Sequence, residues 1–576
     1  MKKRWIINTL PAEEKIAELS KKLNCNPVIA NLLLQRGVDS AEKALAFFSP
    51  SLNMLHDPFL MKDMDKAVER LDKAIAQDEK IMIYGDYDVD GTTAVALLYK
   101  YLKNKCNKFN LEFYIPDRYT EGYGVSIKGI DYAAENNFSL IIVTDCGVKA
   151  VEKVHYAKEK GVDVIICDHH TPGDTLPDAI AVLDPQRKDC TYPYKWLSGC
   201  GVGFKLAQAH SMKHNLPVAE LYKLLDLLCV SIASDIVPIT GENRILAYFG
   251  LQQLNRKPSL GLKTIITLSG IDKEISINDI VFRIGPRINA AGRVESGRRS
   301  VELLTADEKH LADEIASDIA TFNDQRKKLD HDITEEAIQH IKNTESEKEQ
   351  KTTVLFNPNW HKGVIGIVAS RLTETFYRPT IILTESNGLA TGSARSVEGF
   401  DLYYAIAQCS ELLENYGGHK YAAGLTMKLE NIEPFKAKFE RIVRETITNE
   451  MQVPQISIDA KIKLSDITPE FYNMLQKFAP FGPNNAIPVF MTPKVVNFFG
   501  TKRVGKNNEH LKLVVVDDTR ACNDKSGIGF SMGKLYDQVK SSESFSICYT
   551  LQENEFMGKI DIQMMLKDIM FENTEI

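Results

Sequence analysis

The acids of this chain stand out by where they fall. The segment KIMIYGDYDVDG places Asp86, Asp88 and Asp90 directly after a short apolar run at 80–84. A second run, SLIIVT, ends in Asp145, and a third, VDVIIC, ends in Asp168, His169 and His170. A strongly apolar segment over 219–234 ends in Asp235. Any one acid after a strand is commonly a turn former or a helix N-cap, and a pair of adjacent histidines is commonly a surface feature. DYDVDG lacks the remaining spacing and the glutamate of a calcium loop, and there is no Walker A sequence and no GxGxxG after a strand. Recurrence at successive strand ends is what argues for a site. Five or more carboxylates sharing one place repel one another and would take up protons if left bare. Divalent cations resolve that conflict. Oxygen-rich ligation with one imidazole suits Mn²⁺ or Mg²⁺, and the ligands suffice for two ions sharing a carboxylate, the clamp used for in-line phosphoryl chemistry.

The elements that would position these groups alternate. Short apolar strands at 80–84, 111–115, 139–144, 162–167 and 179–183 are separated by helical patterns, which predicts a parallel α/β sheet. Ligands bind outside the carboxyl ends of such strands, so the acid clusters should converge on one rim. Residues 1–75 read as helices, and 219–235 as one apolar helix. From Thr305 to about Gln350 apolar residues recur at helical spacing, predicting a long connecting helix that ends in a solvated linker, KNTESEKEQK. A second α/β lobe follows, with a helix from Val364 to Thr375, a small-residue loop at 391–396 and a helix from Leu402 to about Tyr416. From Gln455 at least five strands without long helices predict a small barrel.

Composition is that of an ordinary globular protein: 576 residues, 44% hydrophobic, 26% charged, net charge −7. No run of about 18 apolar residues predicts a membrane span, and the start lacks a secretory pattern. Ten scattered cysteines without a CxxC pair fit free thiols, hence a cytoplasmic location. Cys146 and Cys167 read as packing residues. The acidic total excludes bulk charge as an argument for nucleic-acid binding, so basic residues must be concentrated locally. Between Arg283 and Arg299 they are: Arg283, Arg287, Arg293, Arg298 and Arg299 face one acid, Glu295. Surface ion pairing is the alternative reading of that stretch.

DYDVDG, VTDCGV, CDHH and SIASDIVPI resemble the four motifs of the DHH phosphoesterase superfamily. The likeness continues through GPRINAAGRV (285–294), WHKGVIGIVASRL (360–372), TGSARS (391–396), YGGHKYAAG (416–424) and FAPFGPNNAIPVF (478–490). This later set is similar to the single-strand-specific 5′→3′ exonucleases within that superfamily. One departure is NNAIPVF where such proteins commonly carry GNPEPVF; it concerns a loop of the last domain.

The resemblance implies a two-lobed α/β core, a parallel-sheet lobe plus a smaller DHH-associated lobe, followed by an OB-like β-barrel. The implied limits are 1–75 helical, 76–300 catalytic, 301–350 connecting helix and linker, 351–450 second lobe and 451–576 OB-fold. It implies that Asp88 and Asp145 hold one metal ion and that Asp90, Asp145, His169 and Asp235 hold the other. Asp86 would line the first site, directly or through water. Asp168 would orient the histidines, and His170 would contact the scissile phosphate. Arg287 would stabilise charge developing on that phosphate, with Arg118 and Arg293 as further contacts. Gly392, Ser393 and Arg395 would grip a 5′-terminal phosphate, and His419 would face the nucleic acid. His361 is a weaker phosphate candidate.

In the barrel Lys502 and Arg503, with Lys494, Lys506 and Lys512, would guide the strand. Phe490, Phe498 and Phe499 would either stack on bases or form core. The implied activity is release of 5′-mononucleotides from single-stranded DNA in recombination and repair, by a monomer. A single-strand-binding protein and a helicase are candidate partners. Selection of unpaired strands would follow from a narrow cleft between the lobes. Two rivals stay open: a phosphodiesterase for very short oligonucleotides or nucleoside phosphates, and a non-catalytic DNA-binding scaffold. The presence of every motif acid and both histidines speaks against the scaffold. Five acids counted in the net −7 (Asp86, Asp88, Asp90, Asp145 and Asp235) would then be neutralised largely by two dications.

Overall fold

Three apolar runs become the centre of a parallel sheet. The computed structural model describes residues 3–107, 110–344, 349–519, 523–556 and 558–571. The chain divides into two compact units, Pro50–Lys328 with Pro480–Ala486, and Met1–Ser49 with Leu329–Ala479 and Ile487–Ile576. In the first unit the sheet runs Leu111–Tyr114, Ile81–Gly85, Leu140–Thr144, Asp163–Cys167, Ala181–Leu183, all parallel. Ile81–Gly85 and Leu140–Thr144 are buried along their whole length, as expected for strands covered on both faces. In chain order the strands lie 2-1-3-4-5. The order therefore reverses between Ile81–Gly85 and Leu140–Thr144, and a ligand crevice belongs at that point. Asp86 and Asp145 are the residues that follow those two strands.

Helix Val89–Leu102 starts from the first of these strand ends and is buried almost all round. Helix Gly199–Lys213 is equally buried and packs on it. The apolar segment 219–235 is two helices, Val218–Tyr222 and Leu225–Ser234, and not one. Leu224 N–H bonds Leu221 C=O at 3.0 Å in the break between them.

In the second unit a mixed five-stranded sheet runs Asn415–His419, Ala422–Lys428, Leu389–Arg395, Thr380–Ser386, Thr353–Phe356. Two expectations are corrected here. The helix from Leu402 ends at Ala407, and its expected last residues form the strand Asn415–His419. TGSARS is strand rather than loop: Gly392 pairs with Leu383 on one side and Leu425 on the other. Small residues suit this strand because a Cβ at Gly392 would meet Leu383 Cδ2 at 2.5 Å.

The carboxy-terminal sheet contains Phe490–Asn497, Phe545–Phe556, Lys559–Phe571, Lys525–Gly529 and His510–Asp517. Pairing of the first with the last closes them into a ring, the OB-type barrel. Phe490–Asn497 bends to do so at a bulge between Thr492 and Val495. The amino-terminal segment holds the expected helices Glu13–Leu23, Pro27–Gln35 and Ala41–Phe48. It also holds a strand that helical periodicity missed: Arg4–Ile7 pairs in parallel with Gln455–Ile458. The long connecting helix spans Lys309–Asn343, and residues 345–348 of the expected linker lie outside the described residues.

Candidate metal centre

The strand ends do converge. His169 Nε2 lies 3.2 Å from Asp145 Oδ1, 3.6 Å from Asp235 Oδ2 and 3.7 Å from Asp90 Oδ2. The Asp88 carboxyl stands against that of Asp145, and Asp86 repels Asp88 across the same loop. Ligand atoms of Asp90, His169 and Asp235, and those of Asp145, His169 and His170, form two groups lying within 4.8 Å. They share His169.

Local chemistry holds each carboxylate in place. Asp88 is the N-cap of helix Val89–Leu102, with Oδ1 accepting Gly91 N–H at 3.0 Å. The capping role and a ligand role are compatible, because the cap leaves the other oxygen for the site. Asp90 sits in the first turn of that helix and accepts Gly199 N–H at 2.6 Å, Cys200 N–H at 2.8 Å and Ser231 Oγ at 2.7 Å. The amino-terminal amides of helix Gly199–Lys213 thus orient it, as helix N-termini do for anions. Asp145 has φ +58°, a left-handed conformation that is uncommon outside glycine. Asp168 accepts Val148 N–H at 2.8 Å and the His169 and His170 N–H groups at 2.7 and 3.1 Å, and pairs with His170 Nδ1 at 2.7 Å.

Burial first, and mutual repulsion second, push Asp86, Asp145 and Asp235 well above the usual carboxylate range. Asp88 is raised for the same two reasons. Burial also pushes His169 down. Burial would raise Asp168 too, but its bond and charge contact with His170 hold it low. Burial opposes charge on His170, and the Asp168 bond outweighs it and raises the imidazole.

Two atoms in the cluster, His169 Nε2 and Asp86 Oδ2, are buried without a hydrogen-bond partner. Buried polar atoms without partners are rare. Orphaned ligand atoms amid carboxylates that resist ionisation are what a dication would satisfy, so the residues fit the expected ions.

The arginine motif reaches this centre through glycines. A Cβ at Gly292 would meet the Tyr87 carbonyl at 2.6 Å, and one at Gly297 would meet Tyr87 Cβ at 3.0 Å. GPRINAAGRV therefore lies against the DYDVDG loop. Its arginines have different surroundings. Arg118 covers the Tyr87 ring at 4.9 Å and offsets part of the Asp86 charge. Arg293 acts electrostatically on Tyr87. Arg287 bonds the Arg283 carbonyl at 2.6 Å and Arg283 bonds the Ser269 carbonyl at 2.7 Å. Arg299 pairs with Glu302 and Asp318, and Arg298 with Glu302. The ion-pair reading thus holds for Arg298 and Arg299.

In the second unit Ser393 and Arg395 stand together, Oγ 3.0 Å from Nη1. Both lie close to Gly366 in the first turn of helix Ile365–Phe376. Because Gly392 is inside a ladder, a backbone cradle is not available there, and recognition would fall to the side chains. His419 is exposed on its strand. His361 Nδ1 accepts Gly363 N–H at 3.1 Å. In the barrel Phe490 is core, whereas Phe498 and Phe499 are exposed. Lys502 lies directly opposite Lys512. Arg503 is tied to Asp537 at 2.6 Å.

Sequence reasoning missed the groups that hold Asp90. The SGCGVG start of helix Gly199–Lys213 was the available signal, a serine N-cap followed by residues small enough for close approach. It also missed Tyr123, whose OH lies 3.3 Å from His170 Nε2, and Asp184, the acid after the fifth strand.

Comparisons with known proteins agree with this geometry. Residues 80–232 match the DHH family N-terminal domain, 329–445 the DHHA1 domain and 458–568 the RecJ OB domain. The single-stranded-DNA-specific exonuclease RecJ of Bacillus subtilis is 38% identical, covering 98% of this chain and 71% of its own length. Its counterpart from Salmonella typhimurium is 31% identical over 96% of this chain and 97% of its own. The crystal structure of RecJ in complex with Mn²⁺ from Thermus thermophilus superposes with a TM-score of 0.85 at 26% identity, covering 99% of this chain and 80% of that one. With the acid cluster, the arginine motif and the closed barrel all in one chain, this protein belongs to the RecJ family.

Proposed function

We propose that this chain is a metal-dependent exonuclease that degrades single-stranded DNA from its 5′ end to 5′-mononucleotides, acting in recombination and repair. The observation that carries the reading is His169 Nε2, buried and unpartnered among Asp90, Asp145 and Asp235. Asp86, Asp88, Asp90, Asp145, His169 and Asp235 would hold two Mn²⁺ or Mg²⁺ ions, with Asp145 common to both. Bound there, the ions would supply an activated water and neutralise charge on the phosphate.

The chain's own groups do the rest. Asp168 fixes His170 through Nδ1, which leaves Nε2 as the atom for a phosphate oxygen, with Tyr123 OH beside it. The raised proton affinity of His170 favours a cationic donor. Arg118, Arg287 and Arg293 are the proposed phosphate contacts on this unit. Ser393 and Arg395, with Gly392 giving clearance and His419 nearby on the same sheet, would recognise a 5′-phosphate and so set polarity. Lys502 and Lys512 are like charges facing each other across a ladder, a destabilising arrangement that a bound phosphate would relieve. With Arg503 and the exposed Phe498 and Phe499 they form the proposed strand track.

We keep the five domain limits given above as the proposed division, a monomer as the proposed state, and the cytoplasm as the proposed location. A single-strand-binding protein and a helicase are proposed partners.

The test is a digest of an end-labelled single strand, with and without Mn²⁺, resolving product size and polarity. Mononucleotides released from the 5′ end, only with metal, are expected, and Asp145→Ala should abolish them. Full metal-dependent activity in Asp145→Ala would overturn the metal assignment. Failure to cut strands longer than about ten nucleotides would favour the short-oligonucleotide phosphodiesterase.

A further inference from the structure

Helix Gly199–Lys213 has two polar ends. Its first amides hold Asp90. At its other end, about 20 Å away for a helix of this length, His210 and His214 stand one turn apart and meet Asp72 of helix Met64–Ala76. The three side chains offer ligand atoms that all lie within 4.8 Å of one another. His214 Nε2 is 2.8 Å and His210 Nε2 3.4 Å from the same oxygen, Asp72 Oδ1. The two imidazole rings are 4.7 Å apart.

We propose that Asp72, His210 and His214 form a further cation site, separate from the carboxylate centre and taking a borderline dication of the Zn²⁺ class. Ligand chemistry separates the two sites. Two imidazoles and one carboxylate oxygen suit Zn²⁺, whereas the oxygen-rich centre suits Mn²⁺ or Mg²⁺. Tetrahedral ligands at zinc distances stand about 3.3 Å apart; the His210 Nε2 to Asp72 Oδ1 separation is 3.4 Å, and His214 Nε2, 2.8 Å from the same oxygen, would open by about 0.5 Å to admit the ion.

The surroundings prepare His210 as a ligand. Its Nδ1 lies 2.7 Å from Tyr101 OH, which lies 2.7 Å from Ser211 Oγ. These distances allow Tyr101 to donate to Ser211 and accept from Nδ1–H, the arrangement that puts the lone pair of His210 on Nε2, facing Asp72. A fixed hydrogen bond on the second nitrogen is the usual company of a metal-bound imidazole.

Lys213 does not block the site. Its Nζ is 2.9 Å from Asp72 Oδ2, the other oxygen, and Oδ1 stays available to the cation. The end of a helix favours positive charge. His214 is half-exposed, which leaves a fourth position open to solvent and makes the occupant exchangeable. A cation here would tie helix Met64–Ala76 to the far end of the helix that holds Asp90.

The experiment uses the untagged full chain, saturated with Mn²⁺, then equilibrated with Zn²⁺ and analysed for bound metal. Wild type, His214→Ala and Asp72→Asn are compared; His214 is on the surface, and the Asn keeps the carboxylate's shape. Any exchange of Zn²⁺ into the carboxylate centre is common to all three and cancels in the difference. Wild type should retain about one equivalent more than either variant. Co²⁺ in place of Zn²⁺ should give visible absorption that both variants lack. Equal Zn²⁺ in all three proteins, with identical Co²⁺ spectra, would overturn the proposal.

Discussion

Replacing Gly199 by alanine tests how tightly the metal centre is built. Gly199 has helical, not left-handed, backbone and lies in the first turn of a 15-residue helix. Alanine therefore suits its backbone, and any effect is steric. The new Cβ would lie 2.6 Å from Asp145 Cβ and Oδ1 and 2.7 Å from Asp145 Cα, where ordinary contact begins at 3.4 Å. About 0.8 Å must be made up.

Asp145 is 2% exposed and Gly199 is buried, so neither can swing into solvent. Overpacking of this kind costs about 1–3 kcal/mol of stability. Misplacing a reacting group by about 1 Å costs roughly 10²-fold in rate. Gly199→Ala should therefore lose about 10²-fold in single-strand cleavage and bind Mn²⁺ more weakly, while still unfolding cooperatively. Gly203→Ala on the same helix is the control. Its Cβ would meet nothing closer than Leu98 Cδ1 at 3.5 Å, so activity should be unchanged and the helix slightly stabilised. Cleavage rate is measured on a labelled oligonucleotide across a Mn²⁺ series, with thermal unfolding of each variant in parallel. Wild-type rate and wild-type Mn²⁺ half-saturation in Gly199→Ala would refute the claim that Asp145 must sit where it does.

Ser231→Ala removes one of three donors to Asp90. Outer partners of a metal ligand are worth about 10–100-fold in metal affinity, so the Mn²⁺ half-saturation point should rise by that factor while the saturating rate recovers. Replacing Lys502 and Lys512 together by alanine should make the slope of log affinity against log salt shallower by about 0.7 per lost phosphate contact. Removing the facing charges should leave the thermal midpoint no lower than wild type's. Asp184 is buried, its Oδ2 has no hydrogen-bond partner, and burial raises it to about 7. The folded state thus keeps a proton that the unfolded state releases near pH 4, so stability from this group is present at low pH and lost as pH rises towards 7. Asp184→Asn should flatten that loss, giving a higher midpoint than wild type at about pH 8 and little difference at about pH 4. Parallel pH profiles would contradict it.

Much of this arrangement was legible in sequence order. Acids after apolar runs sit at strand ends, because a buried parallel strand is written as an uninterrupted apolar run and the first polar residue marks its exit. The long connecting helix was legible from its period. Other features were not. TGSARS looks like a loop because its residues are small, but they are small to pack between Leu383 and Leu425 in a sheet interior. Arg4–Ile7 looks like part of a helical segment, and its partner lies some 450 residues away. The Arg298 and Arg299 ion pairs look like a free cationic tract until Glu302 and Asp318 are folded against them.

By itself the sequence determined the types of the candidate ligands, their places at strand ends and hence the class of metal they suit. Those follow from side-chain chemistry and from uninterrupted apolar runs that end at the first polar residue. Tertiary structure alone decided which donors hold each carboxylate and how much room each has. Gly199 and Ser231 reach Asp90 across more than a hundred residues, and no local pattern records a contact made only when two helices pack.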